Sequence, residues 1–217
     1  MNADLVTLAN PRSAVAEAYR TLRTNVQLSS IDEALRTLLV TSAGPDEGKS
    51  TTLANLGVAF AQAGHRTILV DSDLRRPSLH ALFGIPNDRG LTTMLLQDDA
   101  PAPLVETPIE GLRLLPSGPV PPNPSELLAS RRLEGAIARL VGDADLVLFD
   151  SPPALAVSDA AVLSRRVDGV VLVVSAGRTR REHAARARQV LERAGARLLG
   201  VVLTNASAED AVYSYGG

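Results

Sequence analysis

The chain has 217 residues, 45% of them apolar, enough for one well-buried core and too few for two. Its net charge of −2 and the complete lack of cysteine and tryptophan exclude disulfides, thiolate metal sites, a cysteine nucleophile and a globally basic nucleic-acid binder. No run approaches about 18 apolar residues, and the opening MNADLVTLANPRS lacks an apolar stretch of signal-peptide type, so the chain is expected to be soluble and not exported.

In chain order, residues 12–29 predict a helix with Ser13 as its N-cap. Five β-rich apolar runs follow at 37–42, 67–73, 145–153, 168–176 and 197–205. They are continuously hydrophobic, the pattern of strands buried on both faces of a parallel sheet. Helical patterns lie between them at 50–64, 130–142 and 179–195, and Gly64 and Gly195 close two of these. Residues 98–125 hold eight of the 14 prolines and predict a long ordered loop around one further strand at 112–115. Strand alternating with helix predicts an α/β fold: a doubly wound, mostly parallel sheet in a single domain spanning 1–217. A flexible tail is expected over 206–217.

Residues Ala43 to Ser50, AGPDEGKS, fit the phosphate-loop pattern small-x-x-x-x-Gly-Lys-Ser, with a strand before and a helix after. Gly44 and Gly48 let the backbone curl so that the N–H groups of Ala43, Gly44, Pro45's successor Asp46, Glu47, Gly48, Lys49, Ser50 and Thr51 surround phosphate oxygens. Lys49 is the only lysine beside 21 arginines. A forked guanidinium does not replace a compact ammonium between two phosphates, so a chain otherwise given to arginine keeps lysine here. The Ser50 hydroxyl is a Mg²⁺ ligand in such loops. Asp71 and Asp73 end one buried run and Asp150 another, so three acids converge on the crevice beyond the strand ends. Acids there hold Mg²⁺ or take a proton from an attacking group; a helix cap or turn is the plainer alternative. Asn205, closing the last run, either presents its amide to adenine or forms a turn.

These residues resemble the bacterial tyrosine kinases that govern capsule and exopolysaccharide synthesis. The resemblance covers nearly the whole chain: SAGPDEGKS as Walker A, ILVDSDLRRP as Walker A′, LVLFDSPP as Walker B, the proline-rich LPSGPVPPNPSELLAS, and EAYRTLR with Glu17, Arg20 and Arg23 at E-x-x-R-x-x-R spacing. The partition and division-site ATPases of ParA/MinD type share the sheet but carry a signature lysine where this chain has Gly44, and no second lysine exists to replace it.

The resemblance implies an ATP- and Mg²⁺-dependent protein-tyrosine autokinase, with a nucleotide-gated scaffold or ParA/MinD-type ATPase as the alternative. Lys49, Asp71, Asp73 and Asp150 are its expected catalytic residues, with Asp71 as base and Ser50, Asp73 and Asp150 on the metal. Tyr213 and Tyr215 match the family's C-terminal cluster, phosphorylated in trans. By spacing alone Glu17, Arg20 and Arg23 form a solvated face with an internal ion pair; the resemblance makes them the contact that joins kinase domains into a ring. Its implied partners are other copies of itself, a membrane-embedded chain-length regulator as activator and a tyrosine phosphatase, and its implied location is cytoplasmic, at the inner face of the membrane. No nucleic acid is expected, because Glu182 and Glu192 interleave the arginines of the 178–193 helix. His65, His80 and His183 show no ligand spacing.

Overall fold

The structure is a computed structural model that describes residues 5–29, 34–97 and 101–206. The expected tail beyond Ala206, with Tyr213 and Tyr215, lies outside the described residues. Two helices come first, α1 (Val6–Ala9) and α2 (Ala14–Leu28), then β1 (Thr37–Ser42), α3 (Lys49–Gln62), β2 (Thr67–Asp71), α4 (Leu79–Phe83) and α5 (Leu91–Leu96). The proline-rich region supplies β3 (Val105–Glu106), β4 (Leu112–Leu115) and α6 (Pro124–Ala129). The chain continues through α7 (Arg131–Asp143), β5 (Leu146–Asp150), α8 (Asp159–Ser164), β6 (Gly169–Ser175), α9 (Arg181–Arg193) and β7 (Leu198–Thr204).

Among the described residues the strands form one seven-stranded sheet in the order β3-β4-β2-β5-β1-β6-β7, parallel except for the short β3, which pairs antiparallel with β4. The doubly wound fold is thus as predicted, and the apolar runs are strands whose ends fall within a few residues of the expected bounds. Every residue of β1, β2, β5 and β6 is buried, as unbroken apolar runs require. Alternate side chains feed two cores. Leu39, Ile68, Val70, Phe149 and Leu172 pack against α5 to α9, and Leu38, Val40, Leu69, Leu148 and Val171 pack against α1 to α4.

Local chemistry sets the element ends. The Ser13 hydroxyl caps α2 by accepting the Ala16 N–H at 3.1 Å. Gly64 and Gly195 adopt φ +88° and +81°, and in each case the next N–H returns to a carbonyl of the helix's final turn: His65 to Phe60, Ala196 to Leu191. Both are Schellman ends, which favour glycine.

The loop expected over 98–125 is corrected in one respect. It brackets β4 as predicted, but β3 folds back on β4 and Pro124 opens α6 at a first-turn position where a missing N–H costs nothing. The additional helices α1, α4, α5, α6 and α8 each run six residues or fewer, too short for a periodic signal.

Candidate active site

The loop after β1 closes through side chains before it meets any ligand. Ala43 is fully buried and its N–H stays in the sheet, donating to Val173 at 3.3 Å. The Ser42 hydroxyl donates to the Gly44 carbonyl at 2.7 Å, and the Gly44 N–H donates to the Glu47 carboxylate at 3.0 Å. Asp46 and Gly48 both have positive φ, 56° and 87°. At Gly48 the left-handed turn favours glycine, and a Cβ there would only touch the Thr204 methyl at 3.4 Å. α3 starts at the next residue, so its positive end faces the loop.

Strand pairing brings the acids to the same place. Asp71 and Asp150 are directly paired at the ends of β2 and β5, and Val40 of β1 pairs with Asp150 on its other side. Asp150 is fully buried and accepts the Ser50 hydroxyl at 2.5 Å. The Lys49 ammonium lies 3.1 Å from Asp73 Oδ2, 3.4 Å from Asp150 Oδ2 and 3.0 Å from Ser50 Oγ. One cation thus bridges two carboxylates and a hydroxyl.

Burial decides the protonation of this cluster. It raises the Asp71 carboxyl, with Asp150 beside it adding to the effect, to about 8. Burial likewise raises Asp150, against the pull of Lys49 and the Ser50 hydroxyl. For Lys49 burial acts downward, but Asp150 and Asp73 outweigh it and hold the ammonium above its ordinary range. Asp71 Oδ2 accepts the N–H groups of Ser78 and Leu79, both at 2.9 Å, whereas its buried Oδ1 accepts no hydrogen bond.

A cleft of about 240 Å³ opens above these groups, lined by Pro45, Asp46, Gly48, Lys49, Ser50, Thr51, Asp73, Arg76, Ser78 and Pro153. Seven of these were expected from the sequence. Asp150 and its strand partner Asp71 are fully buried beside the cleft and are not part of its lining. Ala43, Gly44 and Glu47 brace the loop from behind instead of lining the cleft. Asn205 takes the turn conformation, φ 55°, and its amide nitrogen donates to Ser175 Oγ at 2.9 Å. Arg76 and Ser78 were not singled out, although SDLRRPS carries them just past Asp73 and so names the cleft wall. Thr179 and Thr204, which hold Glu47, come from the β6–α9 turn and the end of β7, neither with a motif of its own.

The donor set is entirely oxygen. Asp73, Asp150 and the Ser50 hydroxyl meet at Lys49, and among the described residues no group of three or more His, Cys, Asp or Glu side chains is placed to hold a metal ion by itself. That set suits Mg²⁺, which keeps waters and takes phosphate oxygens to complete its octahedron.

On α2, Glu17 and Arg20 form an exposed ion pair at 2.7 Å, and Arg20 also donates to the Pro11 carbonyl at 3.0 Å. Arg23 turns inward and donates to the Ala59 carbonyl of α3 at 3.3 Å. Tyr19, the one described tyrosine, is half-buried on the same helix, and burial raises its hydroxyl pKa.

Residues 38–214 match the CobQ/CobB/MinD/ParA nucleotide binding domain. The chain is 41% identical over its full length to tyrosine-protein kinase YwqD of Bacillus subtilis, of which it covers 92%. Its fold superposes on the kinase domain of the Escherichia coli tyrosine kinase ETK with a TM-score of 0.88 at 34% identity, covering 94% of this chain and 82% of that one. The septum site-determining protein MinD of Pyrococcus horikoshii, solved with Mg-ADP, aligns at a TM-score of 0.65 and 26% identity, covering 80% of this chain and 72% of that one. With a phosphate loop, convergent acids and these relatives, the chain belongs to the CobQ/CobB/MinD/ParA nucleotide-binding domain family and, within it, to the bacterial tyrosine-protein kinases.

Proposed function

We propose that this chain transfers the γ-phosphoryl group of ATP, with Mg²⁺, to Tyr213 and Tyr215 of a second copy, and that the transfer controls capsule or exopolysaccharide assembly. The observation that carries the reading is the Lys49 ammonium bridging Asp73, Asp150 and Ser50 at the foot of the cleft. Phosphoryl transfer asks little covalent chemistry of a protein and depends on positioning and charge.

The N–H groups of residues 46–51 and the start of α3 orient the phosphates. Lys49 exchanges its carboxylate partners for β- and γ-phosphate oxygens, which it meets as a point charge. Ser50, Asp73 and Asp150 would hold the cation, which would supply charge neutralisation for the transferring phosphoryl group. Asn205 is assigned to the adenine end. The phenol oxygen forms the new bond to the γ-phosphorus in line with the bond to ADP that breaks, and the phenol proton passes to Asp71. Asp71 is assigned this role because strand pairing sets it beside Asp150 at the same end of the sheet and its Oδ1 accepts no hydrogen bond.

The exposed Glu17–Arg20 pair is assigned to the contact between copies in a ring. A membrane-embedded chain-length regulator is the proposed activator and a tyrosine phosphatase the opposing enzyme, which sets the chain at the cytoplasmic face of the membrane. The polysaccharide assignment rests on the resemblance of the EAYRTLR helix and the proline-rich stretch to that group of kinases.

Incubation with Mg-ATP followed by mass spectrometry of the C-terminal peptide tests this. Phosphate on Tyr213 or Tyr215, absent in Lys49→Met, is the expected result. ATP hydrolysis with an unmodified tail would instead identify a nucleotide-gated scaffold.

A further inference from the structure

The back of the phosphate loop carries a buried carboxylate that the transfer chemistry does not use. Glu47 is only 5% exposed. Its Oε2 accepts the Gly44 N–H at 3.0 Å, and its Oε1 accepts the Thr179 hydroxyl at 2.6 Å. Thr179 Oγ1 in turn accepts the Ser175 N–H at 2.8 Å, so the single hydroxyl proton is committed to Glu47. Thr204 donates to the Glu47 carbonyl at 2.8 Å, and Arg178 donates to the Asp46 carbonyl at 3.0 Å. The β6–α9 turn and the end of β7 therefore grip two consecutive loop residues.

Those residues need gripping. Asp46 sits at φ 56°, a left-handed conformation that a non-glycine residue keeps only where its surroundings over-determine it. A carboxylate inside a phosphate loop is also electrostatically adverse unless it is turned away and hydrogen-bonded. Both bonds to Glu47 do this, and Glu47 is absent from the cleft lining. At Gly44 an added Cβ would stand 3.2 Å from Glu47 Oε1. The position that bears the signature lysine in ParA/MinD-type ATPases is thus crowded here by the same carboxylate.

We propose that Glu47 and Thr179 are positioning residues for ATP: together they hold the phosphate loop in its strained, phosphate-receiving curl before nucleotide arrives. The proposal rests on the ATP reading of the cleft. Pre-formed, the loop takes no ordering cost from the binding energy; released, only a fraction of molecules is competent and the apparent affinity falls by that fraction. Turnover of bound ATP is left nearly unchanged by a change at Thr179, which stands outside both the phosphate loop and the cleft lining.

The test measures, in the full chain, Mg²⁺-dependent binding of a fluorescent ATP analogue together with KM for ATP and kcat of autophosphorylation. Thermal melts identify the variants that are folded. Thr179→Val and Glu47→Ala are each expected to raise Kd and KM roughly tenfold, the scale of one lost buried hydrogen bond, with kcat of Thr179→Val within about twofold. The double variant should be no weaker than the worse single one, because the two act as one unit. Thr179→Ser keeps the hydroxyl and should bind like the parent. Asp46→Gly placed in the Thr179→Val background should recover much of the affinity, since glycine holds φ 56° without strain. Unchanged ATP affinity in folded Thr179→Val, additive losses in the double variant, or a fall in kcat at constant KM would each overturn the latch. A parent chain that binds no nucleotide overturns the ATP reading and the latch with it; a binding parent with unaffected variants overturns the latch alone.

Discussion

Lys49 stands between two carboxylates that would repel each other without it. Replacement by arginine keeps the charge but spreads it over a planar fork too large for the space shared by Ser50, Asp73 and Asp150. Lys49→Arg should therefore lower the autophosphorylation rate about a hundredfold or more, within the usual cost of losing one oriented charge contact, while the chain stays folded by circular dichroism. A second buried carboxylate tests positioning outside the cleft. Asp159 is fully buried and accepts Arg75 Nε at 2.9 Å and the Ser125 hydroxyl at 2.6 Å. Arg75→Ala leaves that charge short of a partner and should destabilise the fold by about 2 kcal/mol in urea titration; Arg75→Lys should recover less than half, lacking the fork. The lysine, Ser50 and the three acids were legible because the chemistry of phosphate fixes both residue type and spacing. The role of Glu47 was not, because its partner Thr179 lies 132 residues away and only the fold brings them together.

At the scale of elements, α3 shows why patterns alone mislead. Residues Thr52 to Ala61 are buried without interruption, because the sheet covers one side of the helix and α1 and α2 the other. An all-round apolar helix has little periodicity, and its assignment came from the glycine stop and the loop ahead of it. Gly57 marks the closest helix-to-sheet approach, with a Cβ there meeting Leu69 Cδ2 at 2.5 Å. Leu69 is fully buried, so Gly57→Val should cost about 1–3 kcal/mol by overpacking in spite of any gain in backbone rigidity. The starts of β2 and β5 are joined by Arg66, whose side chain and N–H both donate to Asp145 and lower that carboxyl to about 2. Its folded pKa lies below the unfolded one, so the pair's contribution is present above the ordinary aspartate pKa and is lost as pH falls towards 2. Acid titration of Asp145→Asn should accordingly show a shallower loss of stability across that window than the parent. The short helices and β3 were hidden because fewer than two turns, or two residues of strand, leave no period to detect.

For the whole molecule, a single sheet order explains why one end carries the chemistry: β1, β2 and β5 lie side by side, and parallel strands deliver their carboxyl ends together. The cleft is open, as the proposed transfer to a tyrosine of another copy requires. The proposed ring contact divides the α2 arginines. Arg20→Ala removes an exposed pair and should dissolve large assemblies in sizing experiments while leaving the melting temperature nearly unchanged. Arg23→Ala should lower that temperature as well, since Arg23 binds the Ala59 carbonyl within its own chain. An unchanged oligomer in Arg20→Ala would refute the ring role of this helix. The central claim, transfer through Lys49 to the tail of a second copy, is tested most directly by mixing two variants with Mg-ATP. One is Lys49→Met with its tail intact; the other is catalytically intact with Tyr213→Phe and Tyr215→Phe. Phosphotyrosine in the C-terminal peptide of the Lys49→Met chain is the predicted result, and a tail left unphosphorylated in the mixture, while the unmutated chain alone is phosphorylated there, would contradict it.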